Sequence, residues 1–91
     1  MVVFILERVT PSLRGEITRW CIEPRVGVFV GALSAMVREK LWEKIQESAS
    51  RNAGGIMLWK TNTEQGYKLL SFGDTSRKIT DWDGLLLVTK P

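Results

Sequence analysis

The order of apolar and polar positions along the chain predicts short strands alternating with two helices. Residues Val2 to Leu6 form an unbroken apolar run at the start of the chain. A continuous run of this length, rather than an alternating one, is typical of a strand that is buried on both faces. The first predicted element is therefore an interior strand that ends near Glu7.

The next segment carries the signals of a first helix. Thr10 is the predicted N-cap and Pro11 the first helical residue, where its missing N–H costs nothing. The apolar positions that follow have helical spacing: Leu13, Ile17, Trp20 and Cys21. This spacing predicts a helix that continues until Pro24 and places Trp20 in the core.

A second helix is predicted after Ser34, which is its expected N-cap. One face of this helix repeats an apolar residue every four positions: Val37, Leu41, Ile45 and Ala49. The segment from Asn52 to Gly55 is rich in residues that end helices.

The remaining segments indicate strands. Valine alternates with other residues from Val26 to Gly31, and the pattern leaves open whether Val26 to Leu33 forms one strand or two with a bend at Gly31. The later predicted elements are a strand at Ile56 to Trp59, a turn at Thr61 to Gly66, a strand at Tyr67 to Phe72, a polar loop at Gly73 to Gly84 and a strand at Leu85 to Val88.

Together these elements predict an α/β protein, more closely an α+β sandwich, formed by one domain spanning residues 1–91. The best match is a ferredoxin-like fold. Two helices would lie on one face of a four- to five-stranded, mainly antiparallel sheet.

The composition limits the possible chemistry. The chain has no histidine and one cysteine, Cys21, which excludes a Ser-His-Asp or Cys-His nucleophile, a zinc site and an internal disulfide. Any catalysis would depend on carboxylates and a hard cation such as Mg²⁺.

The lone cysteine and the short apolar start, far too short to cross a bilayer, favour a cytoplasmic protein that does not contact membranes. A 91-residue chain buries a small core, so a homodimer is expected.

Charged residues supply the candidate sites. Glu7 follows the first predicted strand, and a carboxylate at the end of a strand is either a ligand of Mg²⁺ or a surface residue. The net charge of +3 permits a polyanionic partner. Arginine suits phosphate because its planar fork donates two parallel hydrogen bonds. The basic residues that could bind phosphate are Arg14, Arg25, Arg38, Arg77 and Lys78. The alternative is that these residues only form part of a solvated, charged surface, because glutamates are interleaved among them.

Several segments, taken in order, make the chain resemble the CRISPR-associated protein 2 family, type I-E subtype. The resemblance covers nearly the whole chain. The order and spacing of these segments, taken together, are more specific than any one of them. The main stretches are Pro11 to Gly15, Trp20 to Gly31, Ser34-Ala35, Val37 to Glu39, Trp42-Glu43, Thr61 to Glu64, Gly66, Phe72-Gly73 and Asp81 to Leu85.

The resemblance implies a ferredoxin-like homodimer that sits between two dimers of an integrase subunit. This assembly captures duplex DNA and inserts it into the repeat array. Arg14 and Arg77 match basic residues that contact the DNA backbone, with Lys78, Arg25 and Arg38 as further candidates. Glu64 and Asp83 match acidic positions that contact the integrase. The final segment, with Leu86 and Val88, resembles the tail that pairs with it.

Three functions follow from these expectations. The first is a non-catalytic adaptor that binds duplex DNA and requires no cofactor. The second is a Mg²⁺-dependent endonuclease that acts on RNA or DNA through Glu7, a position where many relatives have aspartate. The third is a ligand-binding module, for which fold alone is weak support.

Overall fold

The structure is a computed structural model. It describes residues 1–49, 53–73, 78–82 and 85–89, the last two ranges as backbone only. In chain order the elements are β1 (Val2–Glu7), α1 (Pro11–Ile17), β2 (Ile22–Arg25), β3 (Val28–Gly31), α2 (Ala35–Ser48), β4 (Gly54–Lys60), β5 (Tyr67–Gly73), β6 (Lys78–Trp82) and β7 (Leu85–Thr89).

Five of the strands form one sheet in the order β2-β3-β1-β4-β5, and every neighbouring pair is antiparallel. Each helix connects two strands that have one other strand between them: α1 joins β1 to β2, and α2 joins β3 to β4. This interleaved order confirms the predicted ferredoxin-like α+β fold. The strands β6 and β7 form a separate antiparallel pair.

The core lies between the helices and one face of the sheet. Phe4, in the central strand, pairs with Phe29 on one side and Met57 on the other, and all three side chains are fully buried. The helices add Leu13, Ile17, Leu41, Trp42 and Ile45 to the same cluster. Trp42 packs against Phe4, with ring centroids 6.4 Å apart, and against the edge of Phe72 at 5.3 Å.

Both predicted helix caps are confirmed. The Oγ1 of Thr10 accepts a hydrogen bond from the backbone N–H of Leu13 at 3.2 Å, and Pro11 is the first residue of α1. The Oγ of Ser34 accepts one from the N–H of Val37, also at 3.2 Å. Each cap satisfies an N–H that the first turn of a helix leaves without a partner.

The prediction that the first helix continues to Pro24 was wrong. The helix ends at Ile17, and the N–H groups of both Trp20 and Cys21 donate to the carbonyl of Ile17 at 3.0 Å, which closes the last turn. Pro24 lies in β2, an edge strand, where its missing N–H breaks no ladder. Trp20 was predicted to be core, but it is 51% exposed because the helical spacing stops before it.

Two predictions about strands also need correction. The segment from Val26 to Leu33, which the sequence left open between one strand and two, contains one strand, β3. The turn is at Gly27 rather than Gly31, and the strand before it, β2, already ends at Arg25. The predicted polar loop from Gly73 to Gly84 contains β6. Its charged residues hid the strand propensity of Ile79, Thr80 and Trp82. The hairpin β4–β5 was predicted correctly.

No helix in the described part of the chain is both long and apolar enough to cross a bilayer.

The turn between β2 and β3 depends on a glycine, and this can be tested. Gly27 has φ +81°, and a Cβ built on it would lie 2.5 Å from the carbonyl oxygen of Leu6. We expect Gly27→Ala to lower the free energy of unfolding by roughly 2–4 kcal/mol, since it adds left-handed strain to a clash with backbone. Urea denaturation followed by tryptophan fluorescence, at one fixed protein concentration, measures this change.

Two other glycines serve as matched controls. Gly66 has φ +84° but open space around it, so Gly66→Ala should cost only about 1 kcal/mol. Gly15 lies in α1 with nothing within 4 Å, so Gly15→Ala should stabilise by about 0.5–1 kcal/mol. A Gly27→Ala protein as stable as Gly66→Ala would contradict the close approach to Leu6.

Candidate nucleic-acid interface

Arg14 is held in place by a carboxylate from the neighbouring edge strand. Its Nε donates to Oε2 of Glu23 at 3.2 Å, and the same oxygen accepts the backbone N–H of Gly27 at 2.9 Å. Glu23 is thereby fixed to the β2–β3 turn, with only 18% of its side chain exposed. Among the described residues, no acceptor binds the terminal amino groups of Arg14, which is 38% exposed. The guanidinium is therefore oriented, and its outer donors can reach a phosphate.

Arg25 and Arg38 have different surroundings. Arg25 ends β2 and is exposed, and no described carboxylate pairs with it. The guanidinium of Arg38 lies 4.3 Å above the centre of the Trp59 ring, a cation–π contact, and its Nη2 donates to Glu39 at 3.3 Å. Only 16% of the Arg38 side chain is exposed. Arg38 thus packs α2 onto β4, whereas Arg25 is open to solvent.

The structure does not bring all the predicted basic residues together. Arg14 contacts β2 and Arg38 contacts β4. Three inter-strand spacings, about 14 Å in total, separate these two strands in the sheet. Arg14 and Arg25 lie at the β2 edge, so within the described residues this edge is the candidate interface.

The other predicted site residues lie near the end of the chain or in a turn. Glu64 is exposed in the turn between β4 and β5. Arg77 and Asp83 lie outside the described residues. Lys78 begins β6, and in β7 the backbone of Leu86 pairs with Asp81 and that of Val88 with Ile79. The roles of these residues remain predictions.

Glu7 ends β1 opposite Gly54 of the neighbouring strand. Its carboxylate lies 3.9 Å from Arg8, whose backbone turns the chain out of the sheet with φ 57°. Among the described residues, no three His, Cys, Asp or Glu side chains come close enough to share a metal ion. Mg²⁺ binds several oxygens, so one carboxylate beside a cation is a poor fit for it.

A charge cluster that the sequence analysis missed connects the two helices. Glu16 of α1 accepts a hydrogen bond from Nζ of Lys44 at 3.0 Å and lies 3.8 Å from Arg19. The hydrogen bond from Lys44 and the charge of Lys44 lower the pKa of Glu16; partial desolvation opposes them, and the charge of Arg19 makes the smallest contribution. Glu16 and Lys44 are 28 positions apart, so no local pattern could have revealed this pair.

The sheet face away from the helices is apolar. Side chains alternate along a strand, so the neighbours of Phe4 in β1, Val3 and Ile5, point away from the helices. The residues paired with them on the same face continue the patch: Val28, Val30, Ile56, Leu58 and Leu69. All but Ile56 are half-buried. The sequence predicted β1 to be buried on both faces, yet helices cover only one.

These features define a class: a small ferredoxin-like α+β protein with an apolar sheet face that the two helices do not cover and an oriented arginine at one sheet edge. A family model described as CRISPR-associated protein (Cas_Cas2CT1978) matches residues 1–87. The match spans nearly the whole chain. The chain therefore belongs to this CRISPR-associated family.

The link between the helices gives a prediction about pH. The pKa of Glu16 is lower in the folded protein than its ordinary value of 4.5, so the stabilisation is present above that value and is lost as the pH falls through the lowered pKa. We expect Lys44→Met to raise the titration midpoint of the Glu16 carboxyl towards 4.5, because both main causes of the shift disappear. Carbon-detected NMR of the carboxyl group measures the midpoint.

Lys40→Met is the matched control, since Lys40 lies one turn earlier on α2 and, among the described residues, it is Lys44 and not Lys40 that binds Glu16. It should leave the midpoint unchanged. An unaltered midpoint in Lys44→Met would show that the ion pair does not form in solution.

Proposed function

We propose that this protein is the dimeric adaptor subunit of a CRISPR adaptation complex, of the type I-E subtype. In this role it binds duplex DNA without sequence preference and bridges two integrase dimers during spacer acquisition. The observation that carries the proposal is the family match over residues 1–87. The adaptor supplies a surface for the DNA, and the integrase breaks and joins the strands.

The apolar open face of the sheet supports the homodimer. A soluble monomer rarely exposes a contiguous apolar patch of several strands, and such patches mark interaction sites. A second copy packed on this face would give β1 the burial on both sides that its unbroken apolar run predicts. A chain of 91 residues also gains stability that its small core alone does not supply.

The arrangement around Arg14 supports phosphate binding. Contacts with the DNA backbone fix position without reading sequence, which suits a protein that must accept any invading DNA. Duplex DNA carries about one negative charge per 1.7 Å of helix axis, so a few spaced arginines suffice to hold it. Twofold symmetry would present Arg14, Arg25 and Arg77 twice along the same duplex.

The contacts with the integrase belong to the same proposal. Glu64 is exposed, so its carboxylate is accessible to a basic partner surface. The strand β7, which contains Leu86 and Val88, pairs with β6 in a two-stranded sheet. A two-stranded sheet has edges to which a partner can add a strand through main-chain hydrogen bonds. Asp83, between these strands, is the second proposed acidic contact.

The proposal predicts how substitution of two arginines changes DNA binding. Arg14→Ala with Arg77→Ala removes up to four phosphate contacts from a dimer. Each phosphate contact contributes about 0.9 to the magnitude of the negative slope of log K, the binding constant, against log salt concentration. The slope should therefore become shallower by roughly 3 to 4. Fluorescence anisotropy with a labelled duplex of arbitrary sequence, measured over a range of salt concentrations, gives this slope.

The control is Lys60→Ala with Lys68→Ala, which removes the same charge from exposed positions on the β4–β5 hairpin. It should leave the slope nearly unchanged. An equal effect of both double variants would indicate a general charge effect and contradict the assigned contacts.

Glu7→Ala separates the adaptor from the nuclease alternative. An adaptor with this substitution should still support spacer acquisition. A Mg²⁺-dependent endonuclease acting through Glu7 would instead cleave as purified protein and lose this activity in EDTA and in Glu7→Ala. Loss of acquisition in Glu7→Ala, with the complex still assembled, would overturn the adaptor proposal.

A further inference from the structure

One apolar groove in the described part of the molecule has no role in the proposed DNA or dimer surfaces. It lies between the end of α1 and the first half of α2 and has a volume of about 330 Å³. Its deeper lining is Leu41, which is buried, and Val37, which is half-buried. Its outer lining is Trp20 and Met36, which are 51% and 63% exposed.

The backbone holds Trp20 at this exposed position. Its N–H donates to the carbonyl of Ile17, and so does the N–H of the next residue, Cys21. Ile17 is fully buried and Cys21 is 6% exposed, so the turn is anchored in the core on both sides of Trp20. The indole is therefore presented by a fixed turn. Exposed Trp and Met side chains of this kind are enriched at protein interfaces.

The charges around the groove are unequal. Lys40 and Lys44 lie one helical turn apart on α2 and both line the groove. Lys44 is engaged by Glu16, the only carboxylate among the described residues that line the groove. No carboxylate of the described residues pairs with Lys40, which is exposed. A ligand that places an apolar group in the groove would therefore lie beside the ammonium group of Lys40, which is available to pair with a negative charge.

We propose that this groove binds an acidic peptide segment of a partner protein, with one bulky apolar side chain inserted between Trp20 and Met36 and a neighbouring carboxylate paired with Lys40. The volume is at the small end of ligand clefts, which span roughly 300–1,000 Å³, and suits one or two side chains. The positive charge of Lys40 favours a peptide that carries a carboxylate next to the inserted apolar side chain.

The lining favours a peptide over a nucleic acid. Surfaces that bind single strands combine a basic groove with several aromatic side chains on which successive bases stack. Of the described residues that line this groove, Trp20 is the one aromatic, and the others are non-aromatic apolar or charged side chains. This inference is independent of the proposed role in DNA binding.

The test uses a phage-displayed library of short random peptides, selected on the intact protein and counter-selected on Met36→Asp. We expect the enriched peptides to combine Asp or Glu with Leu, Phe or Trp. Anisotropy with a labelled synthetic copy of the best peptide should show roughly three- to tenfold weaker binding to Lys40→Glu, because an ion pair is replaced by a repulsion. Met36→Asp should weaken binding by about tenfold or more.

Lys68→Glu is the matched control, since it makes the same charge change on β5, the opposite edge strand of the sheet, and it should bind the peptide like the wild type. Met36→Leu should retain binding, which separates loss of the apolar contact from loss of folding. The proposal is overturned if no acidic-apolar consensus emerges or if Lys40→Glu binds the peptide as tightly as the wild type. It is also overturned if duplex DNA displaces the peptide, or if Met36→Asp changes the oligomeric state.

Discussion

The packing of Phe4 against Phe29 and Met57 across the central strand is the interaction on which the rest of the structure depends. These three side chains come from three adjacent strands and are fully buried under the two helices. Because side chains alternate along a strand, the same register that places Phe4 in the core turns Val3 and Ile5 to the opposite face. Because Val3 and Ile5 are themselves apolar, the face of the strand opposite the core is apolar too.

The short turn at Gly27 links this fold to the candidate site. Its positive φ lets β2 fold back beside β3, which completes the ferredoxin-like order. Its N–H also holds Glu23, and Glu23 in turn orients Arg14. A guanidinium with its Nε already engaged offers its terminal donors in a fixed direction, which reduces the entropy lost when a phosphate binds. The turn that determines the topology therefore also positions the arginine.

Much of the fold could be predicted from local signals. The caps at Thr10 and Ser34, the second helix and the β4–β5 hairpin all depend on residues close together in the chain. The end of α1 could not be predicted, because apolar spacing continues to Cys21 although the helix does not. The exposure of Trp20 follows from that early end.

The candidate site was less predictable for a related reason. Arg14 could be named from its sequence context, but its contact with Glu23 spans nine positions and a strand that the pattern did not reveal. Arg38 was grouped with the DNA-binding candidates, and only the structure places it on the Trp59 ring. Charge alone could not distinguish an arginine that packs on the protein from one that faces solvent.

The central claim is that a second copy covers the open sheet face, and sedimentation equilibrium tests it most directly. A chain of 10.3 kDa should sediment as a species of twice that mass. Leu58→Asp, in the middle of the apolar face, should dissociate it, whereas Leu70→Asp, an exposed position on the other face of β5, should not. A wild-type protein that stays monomeric at every concentration tested would contradict the account.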